Sequence, residues 1–469
     1  MDREALAVSL SGLEPGPNTF IAFAHLSVRP PTQVTAIAYT LQPRPGTVSK
    51  PVNVSYTTAW LRSRGYVTGW TFTVPVFGLY DGFENQGTFQ VEIASQPTQT
   101  LPFTITTPTY IDPHGIYTHP TILQARSAGS SLGFDFFAIK SAVDPVVVID
   151  TDGAIRWVGT GVPSDAVLFQ NNGFVVGSMS SGKGQRNEFD GTLTSWSVSD
   201  PTVVDFTHNV DPGKEGSLAE FDTTSEIDAT VEEIGPVGTV LHAWDMGSLL
   251  GAYMASQGDD PSLFVRPDVD WFHLNASTYD PSDDSLIVSS RENFLIKIDY
   301  ASGEPIWILG DPNKYWFTFP SLRAKALQLV DGGLYPIGQH ATSITSDGLV
   351  MVFNDGFQSL NQPAGAPPGA SRPYSTVSAY SIDMASRTAQ EVWDFNDGMA
   401  LDSDFCGSAY EAGGKSVLVD YAIADRAADA RLLGLDANHD VVFEFAYLDV
   451  GGCSSWNAVP VPLDDMHFQ

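Results

Sequence analysis

Only two cysteines occur in 469 residues, Cys406 and Cys453. They stand 47 positions apart, so at most one disulfide is open to them, and the spacing matches no metal motif. Long apolar runs are missing too: none approaches the roughly 20 residues of a membrane-spanning helix. The opening Met1-Asp2-Arg3-Glu4 has neither the basic start nor the apolar stretch of a secretion signal, as expected of a cytoplasmic chain or of one read from beyond its leader. Basic residues are scarce, 23 against 55 acidic, for a net charge of −32. Such a surface repels phosphate backbones and anionic headgroups, so neither nucleic acid nor a membrane is expected as a partner. The plain reading of the acidity is solubility or a salty habitat.

What is present is apolar and turn-rich. Hydrophobic residues make up 43% and charged residues 17%, the balance of a chain that buries a core rather than of a disordered one. With 42 glycines and 31 prolines between short runs of β-formers, the expected class is all-β. Residues 1–105 read as a β-sandwich, with runs such as Val34 to Tyr39 and Thr88 to Ile93 between polar turns. Residues 106–144, with Pro108, Pro113 and Pro120, read as linker and entry.

From residue 145 to 469 a unit recurs: a short apolar strand, an Asp- or Gly-bearing turn, and a strand ending in an aromatic. The terminal aromatics are Trp157, Phe206, Trp244, Trp307, Trp393 and Phe443, at intervals of 49, 38, 63, 86 and 50 residues. A polar turn with four β-formers precedes several copies, as at Asp284-Ser285-Leu286-Ile287-Val288. Two hairpins per period make a four-stranded blade, and six copies predict a six-bladed β-propeller after the sandwich. The run Gln362 to Gly369 reads as an inserted loop, and Ala243 to Gln257 as a short rim helix.

Three of the nine histidines lie where a strand should emerge toward the axis: His208, His273 and His340. His273 and His340 stand 11 and 7 residues before a blade's polar turn, so equivalent positions should converge. Arg291 ends the strand after His273 and should reach the same cavity. Each residue also has a structural reading, a core histidine bonded to a carbonyl or an arginine paired with Asp283 or Glu292. Tyr80, Trp271, Phe272, Tyr315, Trp316 and Phe357 could shape an aromatic pocket.

The stretch from Trp271 to Gly310 is similar to the central signature of arylsulfate sulfotransferases: W-x-H-x-N, then D-P-S-D-D-S-I-I-x-S-S-R, then a strand ending W-I-L-G. Gln339-His340 followed by Phe353-Asn354-Asp355-Gly356 resembles that family's Q-H and F-D-N-G, with Asp and Asn exchanged. Asp205-Phe206-Thr207-His208 resembles its D-F-S-H, and Val74 to Tyr80 with Glu84-Asn85 its sandwich segment. After His208 the chain departs from the family's G-x-Y-L-L, running Pro212-Gly213-Lys214-Glu215-Gly216-Ser217 instead. The resemblance implies sulfuryl transfer from an aryl sulfate donor to a phenolic acceptor by a ping-pong mechanism. It implies neither cofactor nor metal, a periplasmic location and a possible homodimer. The nucleophile falls on His340, catalytic support on His208, His273 and Arg291, and substrate binding on Asn275, Tyr80, Trp271 and Phe357.

The residue types suit that chemistry. In-line sulfuryl transfer, like phosphoryl transfer, spreads charge over three equatorial oxygens and the leaving phenolate. A neutral imidazole, of pKa ~6.5, is a competent nucleophile near neutrality. Arginine forks two donors to an oxyanion, and a second imidazole can protonate the phenolate. An anionic substrate does require a positive island in a strongly acidic chain. Two alternatives remain: a metal-dependent hydrolase held by the three histidines, or a non-catalytic binding propeller. Against the metal stand the neighbouring arginine and the lack of Asp or Glu travelling with the histidines in sequence.

Overall fold

Among the described residues, strand pairing gives eight antiparallel-based sheets. In the computed structural model, residues 7–29, 33–424, 428–452 and 454–469 are described. Two sheets form the N-terminal sandwich. One holds Ala7–Pro15, Ile21–Arg29, Val67–Thr68 and Thr71–Phe77; the other Val34–Leu41, Val52–Thr57, Glu84–Ile93 and Gln99–Thr106. Alternation along Glu84–Ile93 buries every second residue, so each sheet offers one apolar face. Leu26 and Val74 from one sheet meet Tyr39 and Phe89 from the other in a shared core.

Six further sheets are the blades of a β-propeller. The inner strands are Asn457–Pro460, Val167–Gln170, Val203–Pro212, Leu274–Asp280, Gln339–Ile344 and Ser408–Glu411, for blades 1 to 6. Successive inner strands of blades 2 to 6, and then that of blade 1, neighbour one another around the axis. Mid-blade strands such as Ser285–Ser290 are buried throughout, because each blade is covered on both faces by its neighbours. Apolar clusters fill the gaps, as where Trp244 of blade 3 and Met246 just after it meet Leu286 and Ile296 of blade 4.

The chain ends cross the expected boundaries. Asn457–Pro460 pairs with Phe136–Lys140, so the C-terminal segment supplies the inner strand of blade 1 and closes the ring. Thr121–Gln124 joins the outer strand of blade 6, Val441–Leu448. The stretch read as linker therefore holds two blade strands. Met466–Phe468 returns to the sandwich, pairing parallel with Val52–Thr57. The sandwich core also runs on into blades 1 and 2 through Phe136, Trp157 and Phe174.

One repeat copy needs correction. Phe206 lies on the inner strand of blade 3, whereas the outer-strand aromatic of blade 2 is Trp196 on Leu193–Ser197. Both aromatics flank the same turn, so the offset by one strand left the count of six unchanged. The rim helix is Met246–Ser256, capped by the Asp245 side chain accepting from the Ser248 amide. Cys406 is buried, and Cys453 lies outside the described residues, as does the one disulfide that was open to them. Among the described residues no helix is long and apolar enough to cross a membrane.

Candidate active site

Blades 3, 4 and 5 bulge where their inner strands carry polar residues toward the axis. In blade 3, Phe206 opposes Phe221 and Val210 opposes Ala219, which displaces Thr207, His208 and Asn209 from regular pairing. In blade 4, Leu274 opposes Ser290 and Ala276 opposes Ser289, leaving Asn275 out. In blade 5, His340 opposes Phe353 and Ser343 opposes Met351, with Ala341 at φ +48°. The inner strands of blades 2 and 6 keep unbroken register. A bulge bends the strand and re-aims its side chain, so three blades turn inward what regular pleating would face into the packing. His273, at φ +50°, shares this left-handed strain, as does Asp228 at +48°.

A narrow cavity of about 10 Å³ is lined by His208, Asn209, Asn275, His340, Trp456 and Asn457, among others. His340 is 4% exposed, and its Nδ1 lies 2.9 Å from the Gly338 carbonyl. A carbonyl only accepts, so Nδ1 carries the hydrogen and Nε2 keeps the lone pair. Burial and the charge of Arg291 hold the His340 pKa well below 6.5, so the ring stays neutral. Gln339 pins this strand to blade 4: its side chain donates to the Ser290 carbonyl at 2.5 Å, and its own carbonyl accepts from Asn275 Nδ2 at 2.9 Å.

Arg291 is 2% exposed and donates from Nε and Nη2 to Asp355 Oδ2, at 3.1 and 2.7 Å. The same oxygen lies 4.0 Å from His340 Nδ1, so guanidinium and imidazole gather on one carboxylate. Gly338, at φ +58°, admits that carboxylate, since a Cβ there would fall 1.6 Å from Asp355 Oδ1. Burial raises Asp355 to about 7 against the pull of Arg291. Among the described residues, Arg291 Nη1 has no hydrogen-bond partner, only the Glu292 carboxylate at 3.5 Å.

The other two imidazoles pair up. His208 and His273 have ring centroids 4.7 Å apart, with Asp228 between them: Oδ1 is 3.5 Å from His208 Nδ1 and Oδ2 is 3.6 Å from His273 Nδ1. His273 Nδ1 also meets Asp270 Oδ2 at 2.5 Å. Burial pulls the His208 pKa down, but Asp228, Glu220 and Asp165 outweigh it and raise it to about 9. Asp228 is lowered, His208 and His273 together overcoming its burial. Among the described residues, His208 Nδ1, Asp228 Oδ1, His273 Nε2 and Asn275 Oδ1 are buried without a hydrogen-bond partner. Such groups are costly to leave unmet.

His208, His273, Asn275, Arg291 and His340 are thus brought together, while three other expected residues have different surroundings. Tyr80 is not at the cavity: its ring lies 3.8 Å from the Arg156 guanidinium and 4.4 Å from that of Arg44, where sandwich meets blade 1. Trp271 belongs to the core between blades 3 and 4, its indole donating to Glu226; Phe272 and Trp316 share that core. Phe357 is 38% exposed on the loop after Asp355, its amide bonded to that carboxylate at 2.6 Å. The departure at Pro212 to Ser217 falls in the blade 3 hairpin turn and leaves His208 untouched. The expectation that no acidic residue accompanies the histidines is overturned by Asp228, Asp270 and Asp355. Asp355 carried a signal in its Asn-Asp-Gly run, and Asp270 in standing three residues before His273. Trp456, 5.9 Å from the His208 ring and 5.3 Å from that of Phe405, also went unread.

The architecture and site define a class: a β-propeller with three histidines and an arginine gathered at its axis. The arylsulfotransferase (ASST) family model matches residues 127–447, and the chain belongs to that family. Among curated proteins it is similar to the arylsulfate sulfotransferase AssT of Escherichia coli O6:H1, 30% identical over 209 residues, 35% of this chain and 34% of that protein. It is also similar to AssT of Lelliottia amnigena, 29% identical over 209 residues with the same coverages, 35% and 34%. The matches therefore span about a third of those relatives' length. Among solved structures, the Myceliophteria_thermophila Cps50 (Swd1) β-propeller domain aligns with TM-score 0.37 and 12% identity, over 73% of this chain and 90% of that one.

Proposed function

We propose that the chain is an arylsulfate sulfotransferase working by ping-pong exchange through a sulfohistidine on His340. His340 Nε2 attacks the sulfur of an aryl sulfate, the bond from sulfur to the aryl oxygen breaks, and the phenolate leaves. His208, cationic at neutral pH, hands that phenolate its proton. Arg291 Nη1 and His273 donate to the sulfuryl oxygens where charge develops. A second phenol then returns a proton to His208 as its oxygen attacks sulfur and the N–S bond breaks. Trp456 lines the cavity, with Phe405 packed edge-on against it, as an aromatic surface for the phenol. Residues 1–105 form the sandwich domain and 145–469, with the strands added from 106–144 and those the C-terminal segment lends, the catalytic propeller. An extracytoplasmic location and a homodimer belong to the same reading.

The observation that carries it is the division of labour among imidazoles: His340 neutral with a free Nε2, His208 held cationic. Incubation with 4-nitrophenyl sulfate should add one sulfuryl group to the protein by intact mass, mapping to His340. His340→Ala should abolish the adduct and lower turnover at least about a thousandfold. Turnover without any adduct, or an adduct elsewhere, would sink the covalent route. One observation favours the metal reading: donor atoms of His208, Asp228 and His273 lie within 4.8 Å of one another. Stoichiometric metal in the purified protein, with activity lost on chelation, would support hydrolysis instead. A binding propeller would keep its ligand in His340→Ala and turn over nothing.

A further inference from the structure

Arg291 stands in the turn after the mid-blade strand Ser285–Ser290, and its chain neighbour Glu292 is only 1% exposed. Glu292 Oε1 accepts from the Leu360 amide at 2.9 Å, and Oε2 from the Asn361 amide at 2.7 Å. Its carbonyl accepts from Ser359 Oγ at 2.7 Å, Gln362 Nε2 at 2.8 Å and Lys314 Nζ at 3.2 Å. All these donors except Lys314 belong to the loop between Val350–Asn354 and Thr376–Asp383 of blade 5. One buried residue of blade 4 therefore grips the loop of the next blade by side chain and main chain at once.

The loop is a compact body whose legs are tied together. The Gln358 amide donates to Ser371 Oγ at 3.1 Å, that of Ser359 to the Pro368 carbonyl at 3.0 Å, and that of Arg372 to the Gly356 carbonyl at 2.8 Å. The returning leg docks on blade 4 as well. Ala370 N donates to Asp311 Oδ2 at 3.2 Å, and Gly369, at φ +88°, passes so near Lys314 that a Cβ would lie 2.7 Å from its Cε. The loop starts directly after Asp355, which holds Arg291 by Nε and Nη2. Arg291 is thus linked to the loop twice, through Asp355 at its base and through Glu292 at its tip. A carboxylate beside a guanidinium ordinarily takes its free N–H groups. Here each Glu292 oxygen is engaged by a loop amide, and Oε1 stays 3.5 Å from Arg291 Nη1, which is buried with no hydrogen-bond partner among the described residues. We propose that Glu292 is a positioning residue that latches the loop of residues 356–372 against blade 4 and, held off by the loop's amides, leaves Arg291 Nη1 free for a sulfuryl oxygen. The inference rests on the sulfuryl-transfer reading and deepens it.

The test combines hydrogen exchange with kinetics. Glu292→Gln keeps the side chain's size but sets an NH2 group against one of the two loop amides, so the latch loses a bond. Amide exchange over residues 356–372 should become at least about tenfold faster, with the other blades unchanged. On 4-nitrophenyl sulfate kcat should fall about tenfold while KM moves less than about twofold, because Arg291 Nη1 serves the transition state. In an Arg291→Lys background the same substitution should cost less than about twofold, since the group it acts through is gone. Gln362→Ala removes one bond to the Glu292 carbonyl and leaves the carboxylate in place. It should quicken loop exchange and lower kcat in the same direction, by about threefold, and it carries the test if Glu292→Gln does not fold. Unchanged loop exchange in these variants would overturn the inference. So would a loss in the Arg291→Lys background equal to that in wild type, which would make Glu292 a merely structural residue. If wild type turned over no aryl sulfate, the sulfotransferase reading would fall, while exchange would still show whether Glu292 latches the loop.

Discussion

At the scale of single residues, His340 and His208, of the same intrinsic basicity, have been driven apart by their neighbours. His340 sits beside a guanidinium and away from solvent, so its proton is lost well below 6.5. His208 is equally buried but surrounded by carboxylates, and its proton is kept up to about 9. The sign of the pH dependence follows. The acid form of His208 is present below about 9 and is lost as pH rises through it, while His340 is a competent base throughout the neutral range. With phenyl sulfate as donor, the rate should hold from neutrality to about pH 9 and then drop about tenfold per unit. A pH–rate profile falling already near 6.5 would mean that an unperturbed imidazole is the acid. His273, Arg291 and His340 were legible because their motifs are local in sequence. Asp228 was not, since a carboxylate that matters through a contact in space leaves no pattern along the chain; Asp270 stands three residues before His273, and only the fold shows that the two side chains meet.

At the scale of elements, the bulges decide which residues reach the axis. Side chains alternate faces along a strand, so one extra residue reverses every position beyond it. Deleting Ala341 should restore regular pairing between Gln339–Ile344 and Val350–Asn354 and turn His340 away from Arg291. Activity should fall at least about a hundredfold, as misplacement of a reacting group does, with the far-ultraviolet circular dichroism unchanged. Retention of activity would show that the bulge is incidental. The blades themselves could be read in advance, because an apolar strand, a turn and an aromatic recur in each. The bulges could not be, since Thr207 to Asn209 and Ala341 have the composition of ordinary strand. The same limit explains the confusion of Phe206 with Trp196: both are aromatics beside one turn, and only pairing says which strand each joins.

At the scale of the molecule, closure depends on the last residues. Asn457–Pro460 is the inner strand of blade 1 and Met466–Phe468 ties the chain end to the sandwich. Phe468 stacks on Tyr56 at 4.9 Å and touches Trp60 at the same distance. Removing residues 466–469 should cost about 3–5 kcal/mol, the worth of a buried aromatic, seen as a lower midpoint in urea. Removing residues 457–469 should open the ring and abolish a single cooperative transition. Composition and period were enough to determine an all-β chain, a sandwich followed by six blades, and a family signature around His273 and His340. These are properties of short windows, where strand propensity and turn chemistry act locally. Only the tertiary structure decided which strand closes the ring, that Tyr80 and Trp271 serve packing, and which carboxylate attends each cationic group. Those depend on contacts between residues far apart in the chain, brought together only when the blades assemble around an axis.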